Sequence, residues 1–298
     1  MLVLATPDFD DAAYIKEMCE TYDWQAHEAA WQAACETYVT EGGDPWKFDP
    51  TEFTPDIGEA LGDLYDTRSQ NKTLVGIRRT RRLKCCPMCG GQIGTHLDHY
   101  LPRKHFPEFS VFTPNLVPAY AECNSTNKRT IYRGDTDERF LHPYFDKLAN
   151  HPLWRARVEP PDDSANFIPE PAPGFDEPTT RRIQFHLTHA LGDGFARWAE
   201  TEWANLPQRI RDFLDDKAVI TLIDVTTALA RLQRDAMTTD GLNAWLTAQL
   251  RGIRTCGHAP DHRRSGQLDG YGQLNWTPCA SEVVTGTGDF TEVSRCGP

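Results

Sequence analysis

No run in this sequence comes near the roughly 18 consecutive apolar residues that a membrane-spanning helix needs, so no membrane role is expected. The first residues, MLVLATPDFDD, have neither a basic start nor an apolar run of signal-peptide length, which argues for a cytoplasmic protein. Internal repeats are missing, and so is a glycine-rich phosphate loop, so ATP hydrolysis within the chain is not expected. Nine cysteines cannot all pair, and four of them fall between Cys85 and Cys123. Reduced thiols fit that usage better than a disulfide framework. An overall cationic surplus is lacking too. The net charge is −12, which by itself argues against a nucleic-acid partner.

What is present answers that last point. From Arg78 to Arg133 ten basic residues stand against three acidic ones, an excess of seven, which leaves −19 for the rest of the chain. A basic island on an acidic body suits local phosphate binding. Its candidate contacts are Arg78, Arg79, Arg81, Arg82, Lys84, Arg103, Lys104 and Lys128, although the run from Arg78 to Lys84 also reads as an ordinary solvated helix end. With 39% hydrophobic residues, eight Trp and fourteen Phe, the chain has material for real cores, and its length suits one large domain or two modest ones.

The chemistry concentrates between Cys85 and Lys128, CCPMCGGQIGTHLDHYLPRKHFPEFSVFTPNLVPAYAECNSTNK. Cys86-Pro-Met-Cys89 has metal-knuckle spacing: two thiolates two residues apart bind one zinc, and the following glycines permit the tight turn. Next comes Leu97-Asp98-His99. Neighbours on an extended segment face opposite ways, so Asp98 and His99 serve different tasks unless the chain turns there. Asn115-Leu-Val-Pro then leads to Cys123-Asn124-Ser-Thr-Asn127-Lys128.

In these pieces and their order the chain resembles the HNH endonucleases, whose active site is a ββα-metal finger. The resemblance implies that His99 is the general base that deprotonates water, that Asp98 and Asn124 hold a catalytic Mg²⁺ or Mn²⁺, and that Asn115 orients the base by holding the loop. The third motif position, often His in that family, is Asn124 here, which makes an H-N-N variant and leaves Asn127 as an alternative ligand. The chemistry is consistent with those roles. An unperturbed histidine accepts a proton near neutrality, so activity is expected to rise through about pH 6 to 7. A carboxylate and an amide oxygen are hard donors that suit Mg²⁺ or Mn²⁺. Cys86, Cys89 and Cys123 supply three sulfurs of a structural zinc, but where many relatives have a further thiolate this chain has Tyr120. The fourth ligand falls to Cys85, His96 or a residue elsewhere, such as Cys256 or His258; without zinc the cysteines pack as small apolar groups.

Around this stretch the pattern is helical. His27, Ala30, Trp31, Ala34, Cys35 and Tyr38 line one face within residues 9–39. Thr54-Pro55 starts another helix, striped by Ile57, Leu61, Leu64 and Tyr65, and a third piece runs from about Leu74 to Leu83. His142, in an aromatic cluster, reads as a core histidine. Six prolines in residues 159–178 predict a linker, Ile183, Phe185 and Leu187 predict a short strand, and helices return from Gly192 to about Leu250. Cys256, His258 and His262 sit in a tail that reads as inert.

The expected fold is α+β and mostly helical. It comprises an N-terminal helical region 1–77, a central ββα-metal (HNH) finger 78–133, an aromatic connector 134–158, a Pro-rich linker 159–178, a C-terminal helical region 179–251 and an irregular or disordered tail 252–298. The expected function is metal-dependent hydrolysis of duplex DNA, in a restriction or anti-phage setting beside an ATPase. The alternative is a zinc-stabilised module that binds nucleic acid or protein without cutting.

Overall fold

A computed structural model describes residues 1–255 apart from Ser69, Arg81, Thr95, 160–164 and Asp216. Arg81, Cys256, His258, His262 and the tail beyond residue 255 therefore lie outside the described residues. Helix α1 (Asp11–Tyr22) starts where the Asp10 carboxylate accepts from the Ala13 amide. It is followed by α2 (Gln25–Thr40), whose buried face carries Trp31, Cys35 and Tyr38. Pro55 opens α3 (Pro55–Arg68), which buries Leu61 and Leu64, and Asn71 caps the short α4 (Lys72–Arg78). The faces of α2 and α3 are the stripes that the periodicity predicts, but residues 9–39 form two helices and not one, because Asp23 takes the left-handed conformation at φ 62° and ends the first.

The hairpin comes next. Strand β1 (His96–His99) pairs antiparallel with β2 (Leu116–Ala119), placing Asp98 opposite Val117 and His99 opposite Leu116. After β2 the chain winds into a helical turn, Cys123–Lys128, of π type. A second hairpin joins β3 (Trp154–Glu159) to β4 (Asn166–Pro171), and four helices complete the described chain: α5 (Glu177–Ala190), α6 (Gly192–Phe213), α7 (Leu222–Thr239) and α8 (Trp245–Thr255). The protein is thus α+β, mostly helical, with two small two-stranded sheets.

Three expectations are corrected here. Ile183, Phe185 and Leu187 do not form a strand; they lie in α5. Asp176 caps that helix and Pro178 sits in its first turn. Ile183, His186, Leu187 and Ala190 are all buried at helical spacing, so the 3.6-residue period wins over a short accidental alternation. Residues 159–178 are not all loop either, since they contain β4. Pro169 and Pro171 are tolerated because in a two-stranded sheet each strand is an edge and can lack a ladder donor. Residues 252–255, assigned to the tail, are the last turn of α8.

One continuous hydrophobic core takes in Trp31 and Tyr38 of α2, Val117 of β2, Trp154 of β3, Phe195 of α6 and Trp245 of α8. Helix α8 lies so close on β3 that a Cβ at Gly252 would overlap the Ala156 carbonyl. A separate small cluster of Leu74, Ile77, Leu97 and Leu116, with Tyr65 against it, seals the other face of the β1–β2 hairpin under α3 and α4.

Candidate active site

The knuckle and the helical turn bring three sulfurs together. Cys86, Cys89 and Cys123 are buried, and their sulfurs lie within 4.8 Å of one another; among the described residues this is the one such group of three or more His, Cys, Asp or Glu side chains. Cys86 Sγ and Cys123 Sγ are 3.7 Å apart. Two thiolates about 2.3 Å from one tetrahedral zinc would be about 3.8 Å apart, so the spacing fits that ion. The group is able to hold a metal such as zinc. Burial pushes the Cys86 thiol up, but hydrogen bonds from Cys123, Cys89 and the Tyr120 amide outweigh it and hold Cys86 well below the ordinary thiol range. Cys89 and Cys123 are pushed well above it, Cys89 chiefly by burial and Cys123 chiefly by its hydrogen bonds to the other two sulfurs. Neither Cys85 nor His96 joins the group: the Cys85 thiol faces the Met1 amine, and His96 is exposed.

The knuckle is held from far along the chain, by residues that the motif gives no hint of. Met88 O accepts from His186 Nε2 at 2.6 Å, Cys89 O from Trp245 Nε1 at 2.8 Å, and Gly90 O from the Trp245 amide at 3.1 Å. His186 Nδ1 accepts from the Leu141 amide, so its proton is on Nε2 and the ring is neutral. Gly90 has φ +76°, and side chains at Gly90 or Gly91 would overlap Asn243 and the Trp245 ring. Both glycines are needed for close approach as well as for the turn. The only sequence signal for Trp245 and His186 is helical apolar spacing.

Strand alternation separates Asp98 from His99, as a straight strand demands. Asp98 shares its face with Val117 and the main core and is 2% exposed; Lys128, equally buried, reaches it at 3.0 Å. The same ammonium donates to His99 O at 2.8 Å. Burial raises the Asp98 carboxyl, with Lys128 opposing, and Asp98 Oδ2 has no hydrogen-bond partner. The π winding, marked by Arg129 N donating to Asn124 O, is what carries Lys128 to this position. The expectation that Lys128 contacts phosphate is corrected, because its charge is spent inside the protein.

His99 is half-buried on the other face. Its Nε2 lies 2.9 Å from Ser110 O, and since a carbonyl only accepts, Nε2 carries the proton and Nδ1 keeps its lone pair. The Tyr65 and His99 rings meet in a T-shaped contact at 4.5 Å between centroids. Burial pulls the His99 pKa down from 6.5 to about 4, against the pull of the Ser110 carbonyl, and Arg103 and Lys128 add to the lowering. The ring is therefore neutral well below neutrality. The titration window expected near pH 6 to 7 is corrected accordingly.

Asn115 is fully buried and fully used. Its Oδ1 accepts from the Leu101 amide at 2.7 Å and from Tyr38 Oη at 3.0 Å; its Nδ2 donates to Leu101 O and Phe109 O, both at 3.0 Å. It thereby ties the two ends of the loop that leads from β1 to Ser110. Behind it, His142 Nδ1 accepts from Tyr144 N and its Nε2 meets Tyr38 Oη at 2.9 Å, so His142 is the satisfied core histidine that its surroundings predict. Asn124 donates to Leu97 O of β1 at 3.2 Å, while Asn127 donates to Ala190 O at the end of α5. Of the two amides, Asn124 is the one on the hairpin.

The remaining basic residues divide. Arg79, Arg82 and Lys104 are exposed. Arg78 meets Tyr65 Oη at 3.4 Å, Lys84 donates to Thr238 O of α7, and Arg103 is bound to Asp66 at 2.8 Å and to Gly62 O at 2.9 Å.

Over 64 residues the chain is 45% identical to Protein ea31 of Escherichia phage lambda. That likeness is partial. It covers 21% of this chain and 21% of the phage protein. No family model matches the chain, and no solved structure does. No helix among the described residues is long and apolar enough to cross a membrane.

Proposed function

We propose that this chain is a metal-dependent endonuclease of the HNH type that hydrolyses phosphodiester bonds in DNA, with His99 as its general base. The observation that carries the reading is the state of that imidazole. Its Nε2 proton is committed to Ser110 O at 2.9 Å, and its Nδ1 lone pair is left to take a proton from water. The hairpin followed by a helical turn, with a three-sulfur knuckle behind it, supports the same reading in the order strand, strand, helix. Asn115 holds the loop that carries Ser110, and Asn124 and Asp98 are the hard donors for Mg²⁺ or Mn²⁺. Asp98 has one oxygen on Lys128 and one without a partner, so Oδ2 is the atom it can offer. Oδ2 is buried and Asp98 faces away from His99 across β1, so a divalent ion there would stabilise charge on a phosphate beside His99 only once the Asp98–Lys128 pair opens. The role in restriction or anti-phage defence beside an ATPase belongs to this proposal through the family resemblance alone.

A second reading has its own support. The Asp98–Lys128 pair is closed in the core, as in a finger that binds nucleic acid or protein without cutting. Nicking of supercoiled plasmid and of RNA, with and without Mg²⁺, separates the two. Cleavage that needs Mg²⁺ and is lost in His99→Ala supports the nuclease. Binding with no cleavage under any ion leaves the binding module.

A further inference from the structure

The stretch that bears the motif does not hold His99 by itself. The hydrogen bond and the ring contact described for the imidazole both lead to α3. Ser110, whose carbonyl receives Nε2–H, is anchored by its own hydroxyl to Leu61 O of that helix. The Tyr65 ring against His99 comes from the next turn, four residues on and so on the same helix face as Leu61. Arg103, in the loop between β1 and Ser110, donates to Gly62 O and to Asp66 and lies over the Tyr65 ring at 5.5 Å. A single hydrogen bond fixes one axis of an imidazole and leaves it free to rock about that axis. The T-shaped contact with the Tyr65 ring removes the rocking, and Arg103 over that ring keeps it from turning away.

We propose that α3 is the element that positions the base, with Tyr65 as the positioning residue for His99. The inference rests on the reading of His99 as base, but it concerns the geometry of the ring and has a readout apart from cleavage. Tyr65 touches neither phosphate nor attacking water in this scheme. It acts by keeping Nδ1 on one line, and misplacement by about 1 Å is enough to cost on the order of 100-fold in rate.

The test uses the full chain at pH 7 and compares wild type with Tyr65→Phe and Tyr65→Leu. Nitrogen-15 NMR of the imidazole reports which nitrogen of His99 is protonated and whether the ring is held in one state. Plasmid nicking in Mg²⁺ gives kcat and KM. Tyr65→Phe keeps the ring and should retain the Nε2–H signature and the wild-type kcat within about threefold. Tyr65→Leu fills the space without the aromatic ring; it should broaden or split the His99 signals and lower kcat by roughly 10- to 100-fold with KM nearly unchanged. If Tyr65→Leu fails to fold, Ser110→Ala removes the other tie to α3 and should disturb the same signals. Wild-type imidazole signals in the folded variant overturn the proposal, whether or not kcat has fallen. Absence of nicking in the wild type sinks the nuclease reading, and the spectra then judge the positioning on their own.

Discussion

Asp98 and His99 are neighbours on one short strand, yet they live under opposite regimes. Asp98 points into the main core, where burial raises its carboxyl and the buried Lys128 ammonium opposes that rise. His99 points to the small cluster under α3 and α4, is held neutral by burial and is partnered by a carbonyl and an aromatic ring. The difference teaches that a two-residue motif can combine an ionic anchor with a neutral base because strand alternation insulates them from each other. If both faced one side, the carboxylate would pull the imidazole pKa up and cost it the neutral state near pH 7.

The first way to break the comparison is to remove the base. His99→Ala should lower cleavage by roughly two to four orders of magnitude, with melting temperature little changed, because the ring serves chemistry and its site is half open. A variant that cuts at the wild-type rate ends the assignment. On the other face the effect should fall on stability. Lys128→Met leaves Asp98 buried and unpaired and should cost about 3 to 5 kcal/mol in denaturant unfolding, most of which Asp98→Asn in the same chain should restore. A loss below about 1 kcal/mol would mean that water already serves Asp98, since exposed pairs contribute no more than that.

The pH dependence of folding sharpens the contrast through the other buried histidines. Burial lowers His142 to about 3 and His186 to about 4, while both take up protons near 6.5 once unfolded. The unfolded chain therefore binds more protons as pH falls below about 6.5, and stability should drop by about 1.4 kcal/mol per pH unit for each ring until its folded value is reached. Asp11 works the other way: burial raises it to about 6, so between there and about 4 it offsets part of the loss. His142→Gln should flatten the profile by one ring's slope, and an unchanged profile would contradict the buried neutral state. The smallest effect concerns exposed charge. Reversal of Arg79, Arg82 and Lys104 to Glu should weaken DNA binding for all sequences alike and reduce the slope of log K against log salt by about 0.9 for each phosphate that is no longer neutralised. Equal weakening from reversing three basic residues outside the island would mean that net charge alone is being read.

Legibility in the sequence follows the range of the interactions. Two of the three sulfurs come from local spacing, Cys86 and Cys89, while Cys123 stands 37 residues after Cys86 and is reached through the order of the motif pieces; the opposite faces of Asp98 and His99 follow from alternation alone. Helices α2 and α3 are visible as stripes. Tyr65 reads as core, because nothing in a helix stripe says that one of its rings abuts a histidine 34 residues later. Lys128 reads as a phosphate ligand since a lone lysine normally lies in water, and only the π winding takes it inside. The β3–β4 hairpin is hidden under its own prolines, although Trp154, Ala156 and Val158 alternate as buried residues with half-buried neighbours.

The straps on the knuckle bear on the order of events during synthesis. Met88, Cys89 and Gly90 give their carbonyls to His186 and Trp245, groups translated about a hundred residues or more after them. Chains leave the ribosome from the N-terminus at about 5 to 20 residues per second. For several seconds, then, the nascent polypeptide presents its cysteines and their turn to the surroundings without the lid that the mature protein gives them. Early capture of an ion by the three sulfurs would protect the knuckle through that interval, and the last of the described helices is the one that locks it.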